Sequence, residues 1–179
     1  MRPSSPAGGR IVHKIALGLL SLLVWCALAA GQSRADDDPA FLSVGVGIYD
    51  INDDKRAAEM RMEYRFARNF WIFKPFFGAS GTTDAAAYGY GGLLVDIYFG
   101  PRWVLTPNAA VGLYHEGSGK KLGHVVEFRT GFELAYRFDN RSRLGIAFHH
   151  ISNASLGDKN PGTELLAIVY SVPFDSLLK

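Results

Sequence analysis

Apolar and polar residues alternate with a period of two along much of the chain, in stretches of about ten residues. The clearest runs from Ala58 to Phe66. Ala58, Met60, Met62, Tyr64 and Phe66 share one face, and Glu59, Arg61, Glu63 and Arg65 share the other. Residues Val126 to Phe138 repeat the scheme, with Glu127, Arg129, Glu133 and Arg137 opposing Val126, Phe128, Phe132, Leu134, Tyr136 and Phe138. The same alternation, with less contrast, carries Leu42–Ile48, Trp71–Phe77, Leu93–Phe99, Trp103–Leu113 and Leu144–Phe148, and a last segment spans Glu164 to Phe174. The pattern predicts an all-β chain of about eight strands, the smallest size usual for a single-chain outer-membrane barrel.

A soluble sandwich and a membrane barrel could both be built from such strands. A sandwich turns its apolar faces inward, whereas a small membrane barrel turns them to lipid and fills its lumen with the polar faces. Aromatics near strand ends (Trp71, Phe99, Trp103, Phe138) suit an interfacial girdle. Near-equal numbers of Glu and Arg on the polar faces suit an enclosed lumen network, and a lumen so crowded argues against a pore. Connections are expected to be short at 67–69, 100–102 and 139–141, and longer at 51–56, 79–87, 115–123 and 153–163. That alternation fits short periplasmic turns and long outer loops. The reading is an eight-stranded antiparallel transmembrane β-barrel.

The amino terminus has the character of an export signal. Arg2, Arg10 and Lys14 precede an apolar run from Ile15 to Ala30, and Ala27-Leu28-Ala29 or Ser33-Arg34-Ala35 offers a cleavage site. Residues 1–35 are therefore expected to form a signal peptide, cut after Ala29 or Ala35, with 36–179 forming the barrel. An uncleaved anchor helix fits less well, because the run is short for a span of about 20 residues. Cys26 follows Trp25, which does not suit a lipid-anchor site, so the mature protein is expected to lack thiol chemistry.

With 19 Lys and Arg against 17 Asp and Glu, net charge gives no reason to expect a nucleic-acid partner. Gly117-Ser118-Gly119-Lys120 lacks P-loop spacing, and no His, Cys, Asp and Glu cluster has metal-ligand spacing, so neither cofactor nor metal is expected.

His150, Ser152 and Glu164 remain as candidate chemistry. His150 and Ser152 lie two apart, so in a strand they project from one face, shared with Leu144, Ile146 and Phe148. Glu164 has the parity of Leu166, Ile168 and Tyr170, and a hairpin through 153–163 would set it beside His150. With both barrel ends in the periplasm, this hairpin reaches the extracellular rim. Polar groups facing hydrocarbon are costly, so their presence there calls for a function on a lipid substrate. Each residue also has a plainer reading: His150 as an interface residue, Ser152 as turn chemistry before Asn153, Glu164 as a solvated rim charge. His149, of opposite parity, is expected to face the lumen.

The segments Phe148-His149-His150-Ile151-Ser152-Asn153-Ala154, Asn160-Pro161-Gly162-Thr163-Glu164 and Tyr170-Ser171-Val172-Pro173-Phe174 resemble the lipid A 3-O-deacylase family of Gram-negative outer membranes. The resemblance implies an eight-stranded barrel esterase with Ser152 as nucleophile, His150 as general base and Glu164 orienting the imidazole. It implies release of the 3-hydroxyacyl chain ester-linked at position 3 of lipid A. By resemblance and position, the Asn160 side chain and the Gly162 N–H are nominated as oxyanion donors, with Asn153 as another candidate. The expected partners are lipid A of outer-leaflet lipopolysaccharide and the outer membrane, with a homodimer left open. Two rivals stand beside this reading: a non-catalytic structural or adhesive barrel, and an outer-membrane phospholipase.

Overall fold

The computed structural model describes residues 38–178, so the expected signal segment lies outside the described residues. Nine strands follow one another: β1 (Phe41–Tyr49), β2 (Ala57–Arg65), β3 (Lys74–Thr82), β4 (Ala87–Leu94), β5 (Ile97–Phe99), β6 (Trp103–His115), β7 (Val126–Arg137), β8 (Arg143–Ser152) and β9 (Thr163–Pro173). All neighbours pair antiparallel, and β4 pairs with both β3 and β6, which closes the sheet on itself. β4 and β5 are one stave of the barrel, since both run along β6 in a single register. The interruption falls opposite Pro107, which accepts from the Val95 N–H at 3.0 Å but has no N–H to return. The barrel therefore has eight staves, as the alternation predicts.

Two details differ from the sequence reading. The long connection expected at 79–87 shrinks to 83–86, because β3 and β4 continue through Ala79, Ser80, Gly81 and Gly89. Small residues carry no apolar contrast, so the period-two signal fades where the strands persist. Trp71 lies outside any strand, in a turn at φ +61°, and the connection 66–73 is longer than 83–86. Length alternation thus holds for the other connections only.

Parity sorts the side chains as expected. The outer surface carries Val46, Ile168 and Ile146, aligned across β1, β9 and β8, and the row continues through Met60 of β2 and Leu134 of β7. Such a contiguous apolar band suits hydrocarbon. The polar faces meet inside. Arg65 binds Glu63 at 3.0 Å and Glu133 at 2.7 Å, and Arg129 reaches Glu63 at 2.8 Å while lying 4.0 Å over the Tyr90 ring. Arg61 pairs with Glu59 at 2.7 Å. Nearer the start of β1 and the end of β9, Asp96 holds Lys74 and Arg143, each at 3.0 Å. Every one of these charges faces an opposite partner, the condition under which buried ions are tolerated. Toward the other end the lumen turns aromatic, through Tyr49, Tyr88, Tyr90 and Tyr114. The interior is filled, and the rim opposite Asp38 and Pro173 lies over this aromatic layer.

Candidate functional site

The β8–β9 hairpin ends at that rim. Its register sets His150 directly opposite Glu164, both on the outer face. His150 Nδ1 and Glu164 Oε1 lie 3.0 Å apart, with the side chains 44% and 28% exposed. Cross-strand neighbours have Cβ atoms about 5 Å apart, close enough for two such side chains to meet without strain. Ser152 stands two residues beyond His150 on the same face, opposite Phe128 of β7. The structure brings all three to one patch, but among the described residues Ser152 Oγ makes no hydrogen bond to His150. His149, as its parity predicts, points inward, where its Nδ1 contacts Arg61 Nη1 at 2.9 Å.

The connection 153–162 folds back over this patch. Asn153 is fully buried and directs its amide inward, donating to Leu122 O at 2.8 Å and Lys159 O at 2.7 Å. Both carbonyls belong to loops, so Asn153 ties 116–125 and 153–162 together, and its NH₂ group is spent on that task rather than directed at the outer face. Its backbone N–H donates to Asn160 Oδ1 at 3.0 Å. An amide whose oxygen is engaged turns its NH₂ end the other way, and Asn160 is exposed. Gly162 adopts φ +65°, and a Cβ there would come within 2.8 Å of His150 Cε1 and 3.5 Å of Nε2. Backbone at 162 therefore lies against the Cε1–Nε2 edge of the imidazole.

A further set of residues, distant in sequence, meets the site from the β1–β2 connection. Asn52 Nδ2 donates to Glu164 Oε2 at 3.3 Å, and the Ile51 N–H donates to Glu164 O at 3.2 Å. Buried Asp50 accepts from Thr163 Oγ1 at 2.9 Å and from Lys120 Nζ at 2.6 Å, and Lys120 also reaches Asp53 at 3.1 Å. Burial pulls the Lys120 ammonium toward the neutral form, but Asp50 and Asp53 outweigh it and raise its pKa. The Asp53 carboxyl is lowered by the Asp54 N–H and then by Lys120. No local pattern marks these residues: Asn52 and Glu164 are 112 positions apart.

Known proteins resemble this chain to different extents. A sequence model of the family described as "Lipid A 3-O-deacylase (PagL)" matches residues 58–173, the span from β2 to the end of β9. "Lipid A deacylase PagL" of Bordetella bronchiseptica is 27% identical over 55 residues, 31% of this chain and 31% of that protein, so the match spans less than a third of that relative. The crystal structure of the outer membrane enzyme PagL superposes with a TM-score of 0.61 at 16% identity, covering 75% of this chain and 99% of that one. A de novo designed transmembrane β-barrel gives 0.50 at 14% identity, covering 75% and 95%. At such identities the structural likeness speaks for the fold alone.

Proposed function

The chain belongs to the lipid A 3-O-deacylase family of outer-membrane barrels, and we propose that it hydrolyses the ester-linked 3-hydroxyacyl chain at position 3 of lipid A. The observation that carries the reading is the 3.0 Å contact of His150 Nδ1 with Glu164 Oε1 on the outer face of the barrel. A carboxylate and an imidazole side by side above an apolar belt are costly to keep there without a use. With the start of β1 and the end of β9 on the periplasmic side, the site stands at the extracellular rim, level with lipopolysaccharide headgroups.

His150 Nδ1–H donates to Glu164 Oε1, which leaves Nε2 as the basic nitrogen. A rotation about the Ser152 Cα–Cβ bond turns Oγ toward Nε2. Nε2 then accepts the hydroxyl proton as Oγ attacks the acyl carbonyl. Negative charge develops on the carbonyl oxygen. Asn160 Nδ2 and the Gly162 N–H are the donors proposed to receive it, whereas Asn153 serves as the anchor that aims Asn160. Collapse expels the sugar hydroxyl, which takes the proton back from His150. Water, activated by the same imidazole, then releases the hydroxy fatty acid and restores Ser152.

The test is mass spectrometry of lipid A from cells expressing the wild type or Ser152→Ala, with both proteins verified as folded in the outer membrane. Loss of one 3-hydroxyacyl group with the wild type alone is the expected result. Identical spectra would sink the reading, and fatty acid released from phospholipid vesicles free of lipopolysaccharide would point to a phospholipase instead.

A further inference from the structure

Glu164 has two carboxylate oxygens, and the proposed mechanism uses one. Oε1 faces His150 Nδ1, while Oε2 accepts from Asn52 Nδ2. A carboxylate held at one oxygen can still swing about its Cγ–Cδ bond, a torsion with broad, shallow wells. Held at both, its plane is defined, and the direction along which it receives the imidazole proton is defined with it.

Asn52 is itself well placed to do this. It follows Asp50, a buried non-glycine residue at φ +59°. Left-handed backbone at such a residue persists only where its surroundings over-determine it. Here they do: the Asp50 carboxylate is fixed by Lys120 and by Thr163, the residue just before Glu164. The Ile51 N–H then docks on the Glu164 carbonyl. The turn is thus fastened to β9 through the two residues immediately before Asn52, which is more than a chance loop contact requires.

We propose that Asn52 is a positioning residue that acts through Glu164, fixing the carboxylate plane that orients His150; this rests on the reading of Glu164 as the imidazole's partner. The bond is exposed and 3.3 Å long, at the weak end for a charged acceptor, so the effect expected of it is a factor of about ten in rate.

The test uses the full-length protein in detergent micelles with purified lipopolysaccharide, comparing Asn52→Ala, Asn52→Asp, Glu164→Ala and the double variant Asn52→Ala/Glu164→Ala. The expected result is a fall in kcat of about tenfold for Asn52→Ala with KM nearly unchanged. Asn52→Asp, which sets a like charge against Glu164, should fall at least as far. In the Glu164→Ala background, Asn52→Ala should cost nothing more, because the group it acts through is gone. Wild-type kcat in Asn52→Ala, or an equal loss in both backgrounds, overturns the proposal. Nitrogen-15 histidine NMR of the same proteins reads the His150 ring without any substrate. The His150 signals of Asn52→Ala should move toward those of Glu164→Ala, and signals unchanged from wild type overturn the proposal even where lipid A proves not to be the substrate.

Discussion

Replacing Gly162 by alanine tests whether backbone contact holds the His150 ring in its working place. The new Cβ would lie 2.8 Å from His150 Cε1, where ordinary contact begins near 3.4 Å, so the ring or the loop must give by about 0.6 Å, the difference between the two. If the ring takes that shift, Nε2 is displaced from the space beside Ser152 and the Nδ1–Oε1 contact, 3.0 Å in the structure, loses its alignment. Alanine at φ +65° adds about 1–2 kcal/mol of backbone strain, so the loop has no cheap way to absorb the contact. A displacement of about 1 Å in a catalytic group can cost on the order of a hundredfold in rate. The smaller shift here should lower kcat by about ten- to a hundredfold, which corresponds to roughly 1.4–2.7 kcal/mol of transition-state stabilisation. The assay is release of 3-hydroxy fatty acid from lipopolysaccharide in detergent micelles, with folding checked by heat-modifiable migration on gels. Gly89→Ala is the control, since its Cβ would meet nothing within 4 Å on the outer surface of β4, and it should match the wild type. A folded Gly162→Ala protein turning over at the wild-type rate would refute the placement of the imidazole.

Two other substitutions test the barrel. Arg65→Met takes the cation from buried Glu133, while Glu63 keeps Arg129, so stability in urea titrations should fall by about 3–5 kcal/mol; an unchanged midpoint would contradict the buried network. Ile168→Arg puts a charge in the middle of the outer apolar band and should weaken folding into phospholipid vesicles by about 2–4 kcal/mol, with little effect in a soluble detergent complex where the side chain can reach water; equal stability in vesicles would mean that this face does not meet hydrocarbon.

Much of the fold was legible along the chain because strand parity is a local property. Adjacent residues must point to opposite faces, so the Glu59–Arg65 and Glu127–Arg137 runs declare an inner face and the Met60–Phe66 run an outer one. The same rule places His150, Ser152 and Glu164 together on the lipid side and turns His149 inward. Where small residues dilute the contrast, as from Ala79 to Ala87, the strands are invisible and the sequence predicts a loop in their place. Parity cannot say which strands close the barrel, nor which loop lies over which.

The sequence by itself therefore determined the barrel class, the sidedness of its residues and the three side chains that share the outer patch. Tertiary structure alone decided what surrounds them. The pairing of β1 with β9 carries Asn52 to Glu164, and the anchoring of Asp50 by Lys120 and Thr163 joins three separate loops and strands. Asn153 turned inward to tie two loops together, leaving Asn160 on the exposed side. The reason is physical: a side chain's face follows from its neighbours in the chain, whereas its partner follows from ring closure and register, which only the whole sheet can set.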